Sequence, residues 1–180
     1  VDHEHPLPYP IVDLIIFHLF HFYMPIAEAE AGFEKLKKAF IDWNEVRISS
    51  VGEIRDAFAP PGRFMELARS LSAIVQEIHK DRPLLSLEFL VDLPKSEFKK
   101  YWKKLCGVDR STIELILNTR RQEPIVPLDR KSAKTLARIG LVPEELSIVQ
   151  KRIMLQGLIS ASDAVSFHRS VLEIACCWCT

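Results

Sequence analysis

The stretch Leu105-Cys106-Gly107-Val108-Asp109-Arg110-Ser111-Thr112 constrains this chain more than any other. Ahead of it, Phe98, Tyr101, Trp102 and Leu105 recur at helical spacing, and after it Thr112, Leu115, Ile116 and Thr119 do the same. Two helices are therefore joined by a very short turn. Gly107 offers a backbone position free of Cβ, and a turn of this kind leaves main-chain N–H groups at the start of the second helix pointing outward. Such a helix start suits a phosphate oxygen.

The surroundings of the turn carry the charge that a phosphate partner needs. The chain of 180 residues is neutral as a whole, with 24 Lys and Arg against 24 Asp and Glu. Residues 95–138, however, hold 12 basic against 5 acidic side chains, while residues 1–94 hold 9 against 15. The basic excess thus collects around the turn and around Asp129, where it forms either a solvated helix face or a phosphate-binding one. A hydrophobic content of 48% points to a packed globular protein. The cysteines, Cys106, Cys176, Cys177 and Cys179, lack the spacing of a secreted disulfide framework, which places the protein in a reducing cytoplasm.

Taken in order, the chain reads as all-α, with about ten helices, no repeat and no alternating strand pattern. Residues 1–9 hold two prolines and His3-Glu4-His5, and little rests on them. Ile11 to Ile26 is strongly apolar, but Asp13, His18 and His21 interrupt it, so a buried helix is expected and not a membrane span. His18 and His21 stand at i, i+3, but no carboxylate or thiol nearby completes a metal-ligand set. Ser50 with Glu53 predicts a capping box. Phe64, Leu67, Leu71, Ile74, Val75 and Ile78 form the apolar stripe of a long helix that ends before Pro83. Ser86 and Ser96 stand where N-caps would, with Pro94 between them. Gly140 is expected to stop a helix that holds Ala133, Leu136 and Ala137. A further helix is expected from Pro143 through Leu146, Val149 and Ile153, and a last one from about Ser162 through His168 and Leu172.

Leu-x-Gly-Val-x-Arg, followed after a helix and a loop by Pro127-Leu128-Asp129 opening another helix, resembles the helix-hairpin-helix (HhH-GPD) DNA glycosylase superfamily, the group of endonuclease III. The resemblance extends back to Phe33-Glu34-Lys35-Leu36-Lys37 and Asp42 to Ser50, and forward to Leu136 to Val142. It implies a two-lobed helical fold with an interlobe cleft across which duplex DNA, damaged or abasic, would lie. By analogy residues 24–126 form the lobe that carries the hairpin, while residues 1–23 and 127–180 form the second. The resemblance further implies DNA contacts at Gly107, Val108, Arg110, Ser111 and Lys131, no membrane partner and a monomer.

The resemblance also assigns the chemistry. Breaking the bond between a damaged base and its sugar creates oxocarbenium charge, which a nearby carboxylate stabilises while it orients the attacking group. Asp129 matches the catalytic aspartate of the family, and it is equally an N-cap, since the family's aspartate also stands at a helix start. Bifunctional members carry a lysine where this chain has Ser111, and a hydroxyl cannot form the imine. Base excision here would therefore use water as nucleophile, without lyase activity. Three positions depart from the pattern. Asp109 replaces a second turn glycine, Cys106 replaces a proline, and Tyr23-Met24 falls where the family has a glutamine and threonine. Tyr23 is the candidate for filling the gap left by an extruded base, or else a core residue. A 4Fe-4S cluster is typical of the family, but Cys176, Cys177 and Cys179 lie within four residues, and that spacing does not supply four ligands. No cofactor or metal is therefore expected. The rival readings are a catalytically inactive DNA-binding member and a helical scaffold of the same fold that binds a partner.

Overall fold

A computed structural model describes residues 9–105 and 107–177. The chain runs through α1 (Ile11–Tyr23), α2 (Ile26–Ala39), α3 (Trp43–Ile48), α4 (Val51–Phe58), α5 (Met65–Asp81), a 3-10 turn (Glu88–Val91), α6 (Lys95–Trp102), α7 (Arg110–Arg121), α8 (Arg130–Arg138), α9 (Ile148–Gln156) and α10 (Ala164–Cys177). Among the described residues there is no strand, in agreement with the all-α reading. The readings made on residues 1–8, Cys106 and Cys179 lie outside the described residues.

Two compact units divide the chain between Val108 and Asp109, inside the hairpin. The first includes α1. Its residues from Ile11 to His21 are all buried, including Asp13, His18 and His21, and a helix apolar on every side must be enclosed by its neighbours. Here α2 and α5 enclose it, so the N-terminal helix packs with the elements that follow it. No helix among the described residues is long and apolar enough to cross a membrane.

In the first unit, Tyr9–Val108, the stripe Leu67, Leu71, Ile74, Val75 and Ile78 of α5 faces the core. The rings of Phe20 and Phe58 meet at 4.9 Å and those of Phe17 and Phe33 at 5.3 Å. Asp13 is held within α1 by Lys37 Nζ at 2.9 Å and by the indole Nε1 of Trp43 at 2.7 Å, which offsets the cost of burying its charge. The capping box at α4 forms: Ser50 N–H donates to Glu53 at 2.8 Å, and Glu53 N–H donates to Ser50 Oγ at 3.2 Å. Phe64 is not part of the α5 stripe. It precedes the helix in a left-handed conformation, φ 56°, in the turn that Pro60-Pro61-Gly62 imposes. Ser96 lies inside α6, whose N-cap is Pro94, and Ser86 precedes a 3-10 turn capped by Leu87.

The second unit, from Asp109 onward, packs Val126, Leu128, Ala133, Leu136, Val142, Leu155, Ala164 and Val171 into its own core. α10 lies against α7 and α8. Gly140 ends α8 as expected. At φ +75° it lets Leu141 N–H reach Leu136 O at 2.9 Å, which closes the last turn. α9 begins only at Ile148, after a Ser147 and Gln150 capping box, because Ser147 offers a better cap than Pro143. Val149 and Ile153 of α9 are 46% and 64% exposed.

Candidate active site

The turn after α6 holds Gly107 at φ +91°, a conformation that disfavours any residue with a Cβ, and a Cβ built there would stand 3.3 Å from Ile74 Cγ1. Gly107 is exposed and Val108 half-buried. The chain then enters α7 through Asp109, whose Oδ1 accepts Ser111 N–H at 2.8 Å and Ser111 Oγ–H at 2.7 Å. The residue that departs from the glycine pattern is therefore a helix cap. Ser111 is fully buried with its hydroxyl turned to Asp109, so its side chain serves the cap.

Arg110 leans along α7 and donates from Nε to Glu114 Oε1 at 2.9 Å, while its side chain stays 68% exposed. Glu114 is buried, and Arg152 of α9 meets the same oxygen at 3.0 Å. Its other oxygen accepts Leu128 N–H at 3.2 Å, and Arg152 Nη2 donates to Leu128 O at 3.3 Å. Burial lifts the Glu114 carboxyl above the usual range, against the pull of Arg152, Arg110 and the Leu128 amide. Burial likewise lowers Arg152, against Glu114.

Leu128 leads directly into Asp129, the N-cap of α8. Asp129 is 6% exposed, and both of its oxygens are fixed by Ser132: Oδ1 accepts the amide at 2.8 Å and Oδ2 accepts the hydroxyl at 2.5 Å. His168 of α10 lies buried beside this start, with the Pro127 carbonyl accepting its hydrogen bond. Burial lowers it to about 4, opposed by the Asp129 carboxylate, so the ring is neutral at pH 7. Pro127, Leu128 and Asp129 are thus each held by side chains of α7, α8, α9 or α10. A carboxylate fixed in this way, facing little water, can stabilise positive charge or orient a water molecule.

The remaining candidates are more dispersed. Lys131 is half-buried and donates from Nζ to Cys176 Sγ at 3.3 Å, while Arg130, Lys134 and Arg138 are exposed along the outer face of α8. Tyr23 closes α1 at 39% exposure, with its hydroxyl 3.3 Å from Ser70 Oγ. Cys176 turns to Lys131 and Cys177 to Glu173. Among the described residues no three His, Cys, Asp or Glu side chains converge as metal ligands do. Sequence reasoning missed Glu114, Arg152, His168 and Ser132 as parts of this site. Only Ser132 carried a local signal, three residues after an N-cap aspartate.

No family model matches the sequence. Among curated proteins, the chain is 25% identical over 120 residues to the DNA glycosylase/AP lyase ROS1 of Arabidopsis thaliana, a match covering 65% of this chain and 9% of that protein. It is 25% identical over 121 residues to DEMETER-like protein 2 of the same plant, covering 64% and 9%. The chain thus spans about a tenth of the length of these relatives. Among solved structures, the 3-methyladenine DNA glycosylase MagIII of H. pylori bound to 1,N6-ethenoadenine aligns with a TM-score of 0.62 at 16% identity, covering 93% of this chain and 86% of that one. A trapped endonuclease III–DNA covalent intermediate aligns with a TM-score of 0.62 at 15% identity, covering 94% and 75%. The 8-oxoguanine glycosylase/lyase of Clostridium acetobutylicum, with double-stranded DNA, aligns with a TM-score of 0.66 at 14% identity, covering 94% and 60%.

Proposed function

Taking the chain as a member of the helix-hairpin-helix DNA glycosylase superfamily, endonuclease III-like in fold, we propose that it binds duplex DNA and removes a damaged base by hydrolysis. Asp129 is its catalytic carboxylate. The observation that carries this reading is the fixed, nearly buried carboxylate at the start of α8, in the sequence position that the family's pattern requires. Water is the nucleophile because Ser111 stands where the lyase lysine would be, and its hydroxyl is engaged with Asp109. Arg110, exposed at the start of α7, reaches toward the phosphates, with Gly107 and Val108 in the turn that leads into it and Lys131 in the first turn of α8. The reading extends to a monomer that acts on damaged or abasic duplexes in a reducing cytoplasm, without a bound cluster in this chain. It is supported by the cysteine distribution and by the way Cys176 and Cys177 are engaged.

A second reading is favoured by Asp109. A carboxylate already occupies the start of α7, where the helix dipole would favour a phosphate. In that reading the protein binds DNA weakly or serves as a scaffold, without chemistry. A panel of lesion-bearing duplexes separates the two. Base release abolished by Asp129→Asn, with no covalent adduct trapped by borohydride, is the expected result. A trapped adduct would overturn the water mechanism, and salt-sensitive binding without release would favour the second reading.

A further inference from the structure

The Glu114 and Arg152 pair is buried yet weakly justified as a stabiliser. Both side chains are at least nine-tenths removed from water, and burial outweighs their mutual attraction in each: the carboxyl is raised and the guanidinium lowered. Arg152 Nε, moreover, finds no acceptor. Desolvation works against the charged form of each partner, and the geometry shows what else the pair does. Glu114 takes the N–H of Leu128, and Arg152 takes the carbonyl of the same residue. Both main-chain polar groups of the residue preceding Asp129 are therefore held by the two halves of one ion pair, across 14 and 24 positions of sequence.

We infer that Glu114 and Arg152 are positioning residues, a clamp on Leu128 that sets where the Asp129 carboxylate stands for base release. The inference rests on the proposed function for its catalytic consequence, but the clamp itself does not. Leu128 offers no hydrophobic alternative for its main chain, since its side chain is already committed to the core while its amide and carbonyl lie where water does not reach. Removing the pair leaves those two groups to find new partners, and the start of α8 shifts with them. A shift of well under 1 Å at the reacting carboxylate is enough to slow chemistry markedly.

The test uses the full chain with Glu114→Leu and Arg152→Met combined, so that neither charge is left buried and unpaired. The expected outcome is a folded protein with a lowered thermal midpoint, because the Leu128 amide and carbonyl lose their partners, and affinity for a duplex with a tetrahydrofuran abasic analogue unchanged within about twofold. Single-turnover base release on a lesion duplex that the unsubstituted protein processes should fall by about 10-fold to 100-fold. A loss of rate at intact affinity, measured well below the thermal midpoint of the folded variant, is what a merely structural pair would not produce. A second readout needs no substrate. The His168 ring, titrated by NMR, senses the Asp129 carboxylate beside it, and its midpoint should move by about half a pH unit or more in the double variant. Unchanged rate and unchanged titration in a folded double variant would overturn the clamp. If the unsubstituted protein releases no base from any duplex, the proposed function fails, while the titration still decides the clamp. Should the double variant not fold, Glu114→Gln keeps the shape and loses the charge; slower release and a moved His168 titration are then expected, and no change in either would overturn the inference.

Discussion

Two aspartates begin α7 and α8, and each is satisfied by a serine just downstream. Asp109 is exposed and Asp129 is not, and that difference separates their roles. Replacing Asp109 with glycine should cost only a few tenths of a kcal/mol as a cap, because glycine is tolerated at that position. It also removes a negative charge from the helix start. Duplex affinity measured by fluorescence anisotropy should therefore rise several-fold in Asp109→Gly, and a fall would show that the carboxylate assists binding. His168 sets a pH dependence. The unfolded chain takes up its proton near pH 6.5 and the folded one only near 4, so stability is complete above pH 6.5 and is lost as pH falls through that window. The loss amounts to about 3 kcal/mol. Urea midpoints between pH 7 and 4 should drop accordingly, and His168→Gln should flatten the slope. Asp129 and the hairpin were legible in the sequence because their signals are local: a glycine in a short turn, an aspartate before a helix. Glu114, Arg152 and His168 were not, because each acts on residues 127–129 from another helix, and only folding brings them together.

At the scale of elements, α8 is where the basic sequence pattern and the proposed function meet. Its exposed face carries Arg130, Lys134 and Arg138 at four-residue intervals, with no acidic residue in the helix. Arg130 and Lys131 lie in the first turn, where cations oppose the helix dipole by about 0.3–1 kcal/mol each. A polyanion would offset that cost. Exchanging Arg130, Lys134 and Arg138 together for alanine should weaken duplex binding for all sequences alike, and it should reduce the slope of log affinity against log salt by about 0.9 for each phosphate no longer neutralised. An unchanged slope would mark these cations as a solvated face only. Helix existence was legible nearly everywhere, while helix boundaries were less so. The start of α9 moved from Pro143 to Ile148, because a serine and glutamine pair caps better than a proline alone. The start of α5 moved past Phe64, whose left-handed backbone no periodicity argument anticipates.

The molecule as a whole is neutral, yet its charge is arranged unevenly along the chain, with a net +7 over residues 95–138 against −6 over residues 1–94. Local field and not total charge therefore governs any encounter with DNA. The division into units was not legible, because composition does not change at residue 108 and because α1 joins its unit through packing alone. That division also distributes the indoles. Trp43, donating to Asp13, and Trp102, 4% exposed, both belong to the first unit. With Trp178→Phe in place, intrinsic emission follows the melting of Tyr9–Val108 alone, whereas far-ultraviolet dichroism follows the helices of both units. The two melting curves coincide only where the halves come apart in one cooperative step, so a single indole substitution turns the protein into its own gauge of how tightly its halves are coupled.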